Sequence, residues 1–97
     1  MNIYLVTQSI NTGFDTYDSM VVVAETEQEA RETCPNEFTT HHHDGSWYGT
    51  LARGGEYKRD GDEWVPFNEI HKLKVTLIGV ATPEMEKGVV VASFNAG

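Results

Sequence analysis

The stretch MVVVAETEQEAR, residues 20–31, carries the pattern of a strand that runs directly into a helix. Its first six residues are rich in β-branched valine, which favours a strand over residues 20–25. Thr26 and Glu29 then form a T-x-x-E capping box, in which each side chain can bond the other's backbone N–H. The pattern predicts a helix that begins at Thr26 and is stopped by Pro35.

Strand-like runs lie on both sides of this unit. Residues 2–8, NIYLVTQ, are rich in β-branched and aromatic residues, which favour a strand. Residues 71–81, HKLKVTLIGVA, alternate polar and apolar side chains, which predicts a half-buried strand with one solvent-exposed face. Residues 89–94, VVVASF, form the last predicted strand. Residues 9–19, SINTGFDTYDS, predict a loop that is long for a connection between two strands.

The middle of the chain predicts a small meander. Three short strand-like segments are separated by glycine-containing turns: SWYGTLAR (46–53), EYKR (56–59) and DEWV (62–65). Asp60-Gly61 between the last two is typical of a type I′ hairpin, because both central residues of that turn need φ above zero. Residues 35–46 predict an irregular segment, and FNEI (67–70) predicts one helical turn.

These elements define an α+β fold class. The expected order is β-β-α-β meander-β-β, with one mainly antiparallel sheet that carries a single short helix. A chain of 97 residues is typical of one compact unit, so we expect residues 1–97 to form a single domain. Apolar residues make up 39% of the chain, which is enough for a small core and argues against disorder.

Charge is unevenly distributed along the chain. Residues 1–50 contain eight acids and one base, for a net charge of −7, whereas residues 51–97 contain seven acids and six bases, for −1. An acidic protein repels phosphate backbones, so we expect no direct nucleic-acid ligand. In one interpretation the acidic charge serves solubility. In the other, the acidic half offers a face for a basic protein partner.

The expected compartment is the cytoplasm. Cys34 is the sole cysteine, so the chain forms no internal disulfide, which is typical of a reducing environment. The first residues lack the basic and long apolar segments of a signal peptide. The apolar runs are too short to cross a bilayer, so we expect no membrane partner.

Several segments resemble a family of small proteins encoded by tailed bacteriophages and prophages. The resemblance is carried by GFDTYDSMVVVAETEQEAR (13–31), by WYGT and GGEY in the middle of the chain, by WV before the penultimate strand, and by GVVVASFNAG (88–97). It spans nearly the whole chain. The family has no established activity, so the resemblance implies a setting, the cytoplasm of an infected host cell, rather than a mechanism.

The densest group of candidate binding side chains lies in GFDTYDS (13–19). In one interpretation this is a recognition loop, where Phe14 and Tyr17 supply apolar contact and Asp15 and Asp18 supply charge. In the other, the polar side chains cap turns and an aromatic ring folds onto the core. We take the four residues as the candidate binding site.

Three consecutive histidines, His41, His42 and His43, precede Asp44. In an extended segment His41 and His43 share one side while His42 points to the other. Their spacing matches no zinc motif, since structural zinc sites use patterns such as C-x₂-C or H-x₃-H. We therefore predict no metal site and no cofactor, and expect a solvated loop. His41, His43 and Asp44 are the candidate ligands if the fold gathers them, with His71 as a fourth.

The sequence predicts a protein that is not an enzyme. Cys34 lies at the end of the predicted helix, where the negative end of the helix dipole disfavours a thiolate. DGSWYG (44–49) differs from the G-x-S-x-G nucleophile motif. Gly54-Gly55 lacks the Gly-Lys-Ser pattern of a phosphate-binding loop.

Three function classes follow, in order of preference. The first is a non-enzymatic phage accessory protein that binds a host or phage protein, such as a defence factor or a nucleic-acid-binding enzyme, through an acidic surface. The second is a homo-oligomer that binds a nucleotide-type ligand, with Arg53, Lys58 and Arg59 as phosphate donors. The third is a metal-dependent enzyme that uses the histidine cluster. The first predicts an exposed acidic patch and no deep pocket. The second predicts a multimer with a cleft lined by aromatic and basic residues. The third predicts convergence of His41, His43 and Asp44.

Overall fold

The computed structural model describes residues 1–61 and 63–96, and within them it contains seven strands, one α-helix and one 3₁₀-helix. In chain order the elements are β1 (Asn2–Thr7), β2 (Thr16–Ala24), α1 (Glu27–Arg31), β3 (His41–His43), β4 (Ser46–Thr50), β5 (Glu56–Lys58), the 3₁₀-helix (Phe67–Lys72), β6 (Lys74–Val80) and β7 (Gly88–Asn95). The predicted α+β class is confirmed, since the fold is mostly antiparallel sheet with one short α-helix.

Four long strands form the main sheet, in the order β6-β1-β2-β7, and every neighbouring pair is antiparallel. The central pair, β1 with β2, keeps one register from Asn2↔Ala24 to Thr7↔Ser19. The two outer pairs each show register shifts of the kind that β-bulges produce. Such bulges increase the local twist of edge strands and discourage straight edge-to-edge pairing.

Three short strands form a second sheet, in the order β3-β4-β5, where the sequence predicted one sheet. Residues 41–43 form β3, which pairs antiparallel with β4. Asp44 and Gly45 make the turn between them, with φ values of 50° and 77°. These positive values are those of a type I′ hairpin, for which Asp-Gly is a preferred pair. The expectation of an irregular histidine loop is therefore wrong.

The type I′ hairpin predicted at Asp60-Gly61 is not formed. Of the predicted strand 62–65, residue 62 lies outside the described residues, and the others belong to no strand. The Oδ1 atom of Asp60 instead accepts hydrogen bonds from the backbone N–H groups of Trp47 and Phe67, at 3.0 Å each. This side chain ties β4 to the start of the 3₁₀-helix, which includes the helical turn predicted at FNEI.

The helix start predicted at Thr26 is confirmed. Thr26 is the N-cap, and its Oγ1 accepts from the Glu29 N–H at 3.1 Å. The α-helix ends at Arg31, earlier than predicted. The N–H of Glu32 donates to two carbonyls, those of Gln28 and Glu29. Such a shared hydrogen bond is common at the end of a helix, where the last turn becomes 3₁₀-like. Pro35 cannot continue the helix beyond this point.

The core lies between the main sheet, the α-helix and the second sheet. Its buried residues are Tyr4, Val6, Met20, Val22, Ala24, Ala30, Trp47, Trp64, Val65, Ile70 and Leu73. Arg31 adds a polar tie at the edge of this core, because its Nη1 donates to the carbonyl of Leu73 at 2.5 Å. That hydrogen bond holds the end of α1 against the start of β6.

β2 begins at Thr16, four residues earlier than predicted, so the preceding loop covers residues 8–15. The extra residues are strand because they pair with the end of β7, from Thr16↔Asn95 onward. This partner is distant in sequence, so no local pattern could reveal the pairing. Half of the predicted recognition loop 13–19 is therefore strand.

Most of the exposed large apolar side chains lie on the two edge strands of the main sheet. They are Leu77, Ile78 and Val80 in β6 and Val89, Val90, Val91 and Phe94 in β7. Phe14 in the loop 8–15 adds to the β7 side. Among the described residues, no helix has the length and apolar character needed to traverse a membrane.

Candidate functional site

The candidate binding residues fall into two pairs with different surroundings. Phe14 and Asp15 lie at the end of the loop 8–15, whereas Tyr17 and Asp18 lie at the start of β2. The two pairs are close in sequence, but only the first belongs to a loop.

Side-chain amides hold the loop 8–15 in place. The Oε1 of Gln8 accepts from two loop N–H groups at 2.8 Å, and its Nε2 donates to the carbonyl of Asn11 at 2.7 Å. The Nδ2 of Asn11 in turn donates to the carbonyl of Trp64 at 2.9 Å. The loop is thus fixed both to β1, where it begins, and to the segment that precedes the 3₁₀-helix.

The tip of the loop is tied to the end of β7. The Asp15 N–H donates to the Asn95 carbonyl at 2.5 Å. The Gly13 carbonyl accepts from Asn95 Nδ2 at 2.8 Å and from Thr16 Oγ1 at 2.9 Å. Asp15 has a φ of 60°, in the left-handed region that aspartate tolerates better than most residues. Asp15 therefore has a conformational role in addition to its charge.

Phe14 lies on this braced tip and keeps 77% of its surface exposed. The structural interpretation, in which the phenyl ring folds onto the core, does not hold for this residue. An exposed phenyl group on a loop that is fixed at both ends is an apolar contact presented to the outside.

Tyr17 has the opposite character. It packs against the core, and its ring meets that of Phe94 edge-on, with centroids 4.8 Å apart and planes at 62°. Burial raises the pKa of Tyr17, and the carboxylates of Glu63 and Glu37 raise it further. The structural interpretation therefore fits Tyr17, while Asp18 beside it stays exposed on the surface.

Alternation along β3 separates the three histidines. His42 faces inward, where its ring stacks on Phe67 with centroids 4.3 Å apart and meets Trp47 edge-on at 6.0 Å. Its Nε2 lies 4.0 Å from Oε1 of Glu32. His42 therefore packs the second sheet against the 3₁₀-helix and the end of α1.

His41 and His43 face outward and converge on Glu56 of β5. Nε2 of His41 lies 2.5 Å from Oε2 of Glu56, and Nε2 of His43 contacts Oε1 of the same carboxylate. One ligand atom of each residue lies within 4.8 Å of the other two. Asp44 does not belong to this group, because its Oδ2 lies 3.1 Å from Nδ1 of His43, on the other side of the ring. Glu56 thus replaces Asp44 in the candidate ligand set, and His71 lies elsewhere, in the 3₁₀-helix.

Glu56 was not found from the sequence, because it meets the histidines only across β4. Hydrogen bonds with Asp44 and then with Glu56 raise the pKa of His43. Hydrogen bonds from His41 and then from His43 lower the pKa of Glu56. The cluster therefore favours positive charge on the His43 imidazole and negative charge on the Glu56 carboxylate.

A cleft of about 400 Å³ lies beside β3. It is lined by residues 32–34, residues 39–42 and Trp47, and neither lysine nor arginine is among these lining residues. Burial raises the pKa of Cys34 in this lining to about 11, so its thiol stays protonated at neutral pH. The sequence analysis expected the helix dipole to disfavour a thiolate at Cys34, whereas burial is the main cause of its raised pKa.

Comparisons of the chain with models of protein families, with curated proteins and with solved structures found no match. The chemistry of the chain's own side chains is therefore the basis for a functional proposal.

Proposed function

We propose that this chain is a small non-enzymatic binding protein whose partner is another protein. The partner docks on the loop–β7 surface, which consists of Phe14, Asp15, Phe94 and residues 89–91. The observation that carries the proposal is the 77% exposure of Phe14 on a loop tip that is hydrogen-bonded to the end of β7.

Preorganisation is the physical reason for assigning a binding role to this tip. A loop that is already ordered loses little conformational entropy when a partner docks, so more of the contact energy appears as affinity. Aromatic side chains are also over-represented among the residues that dominate binding energy. The exposed side chain of Phe94 extends the apolar area at the end of β7, and Val91 adds exposed apolar surface on the other face of the same edge strand.

The charge of the chain favours a basic partner. Asp15 and Asp18 flank the aromatic tip, and both lie in the half of the chain with a net charge of −7. Complementary charge mainly accelerates association and selects among partners. On the expectation that the chain is similar to small tailed-phage proteins, we further propose a host or phage protein in the cytoplasm of an infected cell as the partner.

Two alternatives have less support. A nucleotide-type ligand needs positive donors for its phosphates, but Arg53, Lys58 and Arg59 do not line the cleft beside β3. An enzyme that uses the histidine cluster needs a substrate site beside it, but of His41, His43 and Glu56 only His41 is among the residues that line that cleft.

Self-association is a further candidate for the partner. Val91 pairs with Val21, which pairs with Leu5, so the three form an apolar row on the sheet face opposite to Tyr4 and Val6. Sedimentation equilibrium over a range of concentrations tests this directly. An apparent mass that rises with concentration supports a homo-oligomer, and a constant monomer mass excludes self-association.

The proposal is tested by affinity capture followed by kinetics. Tagged wild-type protein, Phe14→Ala and Leu77→Ala are expressed in the host cell, and captured proteins are quantified by mass spectrometry. Leu77 is the matched control, because it is similarly exposed but lies on β6, at the opposite edge of the main sheet. We expect a partner that is recovered with the wild type and Leu77→Ala and is lost with Phe14→Ala.

Kinetics on the captured partner then separate the two kinds of contact. Phe14→Ala should mainly speed dissociation, and Asp15→Asn combined with Asp18→Asn should slow association and flatten its salt dependence. Equal recovery and equal kinetics for Phe14→Ala and the wild type would show that the loop is not the docking site.

A further inference from the structure

We propose that His41, His43 and Glu56 form a binding site for a divalent transition-metal ion, with Zn²⁺ as the reference ion. Two imidazole nitrogens and one carboxylate oxygen are gathered on the outer face of the second sheet, each within 4.8 Å of the others. The inference is independent of the loop–β7 surface, which lies on the main sheet.

Strand geometry explains why two histidines separated by one residue on β3 contact a glutamate that is distant in sequence. His41 and His43 are two residues apart on β3, so both side chains point to the same face. Tyr48 on the middle strand pairs with His41, and its ring provides the platform beneath the cluster. His43 stacks on that ring at 4.1 Å with planes only 3° apart, and His41 stacks on it at 5.9 Å.

Both imidazole rings are also held at the nitrogen that faces away from Glu56. Nδ1 of His43 lies 3.1 Å from Oδ2 of Asp44, and Nδ1 of His41 lies 2.8 Å from Oγ1 of Thr40. Metal-binding histidines usually have such a partner on the second ring nitrogen, which fixes the tautomer and the ring orientation. Each Nε2 is thus the nitrogen that remains for a metal ion.

A metal ion would take the place of the protons that now lie between the imidazoles and the carboxylate. The contacts of Glu56 with the two Nε2 atoms are hydrogen bonds, so each contains a proton. Zinc lies about 2.0–2.2 Å from its nitrogen and oxygen ligands, so in a tetrahedral site neighbouring ligand atoms are about 3.4 Å apart. Small rotations of the partly exposed His41 and Glu56 side chains provide this spacing. Both ring nitrogens of His43 face a carboxylate oxygen, so metal uptake at its Nε2 releases that proton to the solvent, whereas the Nε2 proton of His41 can move to Nδ1, which faces the Thr40 hydroxyl.

The ligand set selects the class of metal. Imidazole suits Zn²⁺, Cu²⁺, Ni²⁺ and Co²⁺, whereas Ca²⁺ and Mg²⁺ prefer sites made of oxygen ligands. Three protein ligands leave a fourth position for water or for a group from another molecule. Since the three side chains lie at the surface, the fold does not depend on the ion, and a chelator should leave the melting temperature nearly unchanged.

The test is calorimetric titration of the metal-free protein with ZnCl₂ at neutral pH, in two buffers of different ionisation enthalpy. We expect one saturable site per chain and an apparent enthalpy that changes with the buffer, because protons are released. His43→Ala and His41→Ala should weaken binding by at least about a hundredfold, and Asp44→Asn by about tenfold, as for partners behind the ligands. CaCl₂ and MgCl₂ should show no saturable binding.

His71→Ala is the matched control, since His71 is exposed but lies outside the cluster, and it should bind zinc as the wild type does. Circular dichroism confirms that each variant is folded. Glu56→Gln provides a second test, because it keeps the shape of the side chain while removing its charge, and it should also bind zinc more weakly. The proposal is overturned if the wild type takes up no zinc, or if His41→Ala, His43→Ala and His71→Ala bind it equally well.

Discussion

The substitution Gly49→Ala should destabilise the fold although it adds only one methyl group. Gly49 is buried in β4 and pairs with Tyr57 in β5. A Cβ atom at this position would lie 2.6 Å from the carbonyl oxygen of Phe38 and 2.7 Å and 2.8 Å from two ring atoms of Tyr57. Since carbon atoms pack at about 3.5–4.0 Å, both neighbours would have to move by nearly one ångström.

The magnitude follows from two opposing terms. Overpacking of this kind costs about 1–3 kcal/mol, and the cost lies toward the upper end here because the Phe38 carbonyl is backbone and cannot rotate away. Replacing glycine within a strand returns about 0.5–1 kcal/mol. We therefore expect a net loss of about 2 kcal/mol in the free energy of unfolding, which lowers the melting temperature by about 10 °C in a domain of this size.

Urea denaturation of the wild type, Gly49→Ala and Gly79→Ala checks this prediction. Gly79 is the control, because a Cβ atom there would meet Ile3 Cδ1 at 3.7 Å, an ordinary contact. Gly79→Ala should leave stability unchanged or raise it by about 0.5 kcal/mol. The reasoning is refuted if Gly49→Ala unfolds at the same urea concentration as the wild type, or if both variants lose equal stability.

Three other outcomes follow from the structure. Asp60→Ala should cost about 2–4 kcal/mol, because two backbone N–H groups lose their charged acceptor. Burial raises the pKa of Asp60, but hydrogen bonds from those N–H groups and from Ser46, together with the charge of Lys58, outweigh it and the pKa is lowered. The stability that this ionised carboxylate contributes is therefore fully present above the unfolded pKa of about 3.9 and is lost as the pH falls through the folded pKa. Asp60→Asn should accordingly make the free energy of unfolding, measured by urea denaturation, less dependent on pH on the acid side. Cys34 should react with a thiol reagent roughly a hundredfold or more slowly than a free thiol at neutral pH, and faster as the pH approaches 11. Rapid labelling of the native protein would contradict this low reactivity. Cys34→Ala should lower the free energy of unfolding by at most about 1–2 kcal/mol. Tyr17→Ala should cost about 2 kcal/mol or more in thermal unfolding, whereas Phe14→Ala should change stability by less than about 0.5 kcal/mol, and equal losses would show that Phe14 is also part of the core.

Local patterns in the sequence revealed the parts of the fold that local physics determines. The N-cap at Thr26 and the valine-rich strand before it depend on near neighbours, and both were predicted, although Glu29 accepts from the N–H of Glu25 rather than from that of Thr26. The alternation predicted for β6 holds only in part, because Leu77 and Ile78 are both exposed. The early start of β2 was missed because Thr16 is in a strand only through its pairing with Asn95. The position of the tight hairpin was also misjudged. Asp44-Gly45 and Asp60-Gly61 are the same dipeptide, but within the part of the chain that the structure describes only the first has strands on both sides.

The same limit applies to the candidate sites. Alternation along an extended segment correctly placed His41 and His43 on one side, but Glu56 joins them across a middle strand that the sequence does not position. Phe14 and Tyr17 were equivalent in sequence, as aromatic residues of one polar segment. Their opposite burial follows from the bulged end of β2, where Tyr17 packs against Phe94 and the core.

Photo-crosslinking from position 14 tests the central claim, docking of another protein on the loop–β7 surface, most directly. A benzophenone amino acid replaces Phe14 in one variant and Leu77 in the other, both expressed in the proposed host cell, and crosslinked species are identified by mass spectrometry. Strands in a sheet are about 4.8 Å apart, so β6 and β7 are about 14 Å apart and a probe on one edge distinguishes it from the other. The account predicts a discrete crosslinked protein from position 14 that is absent from position 77. No crosslink from position 14, or the same crosslinks from both positions, would contradict it.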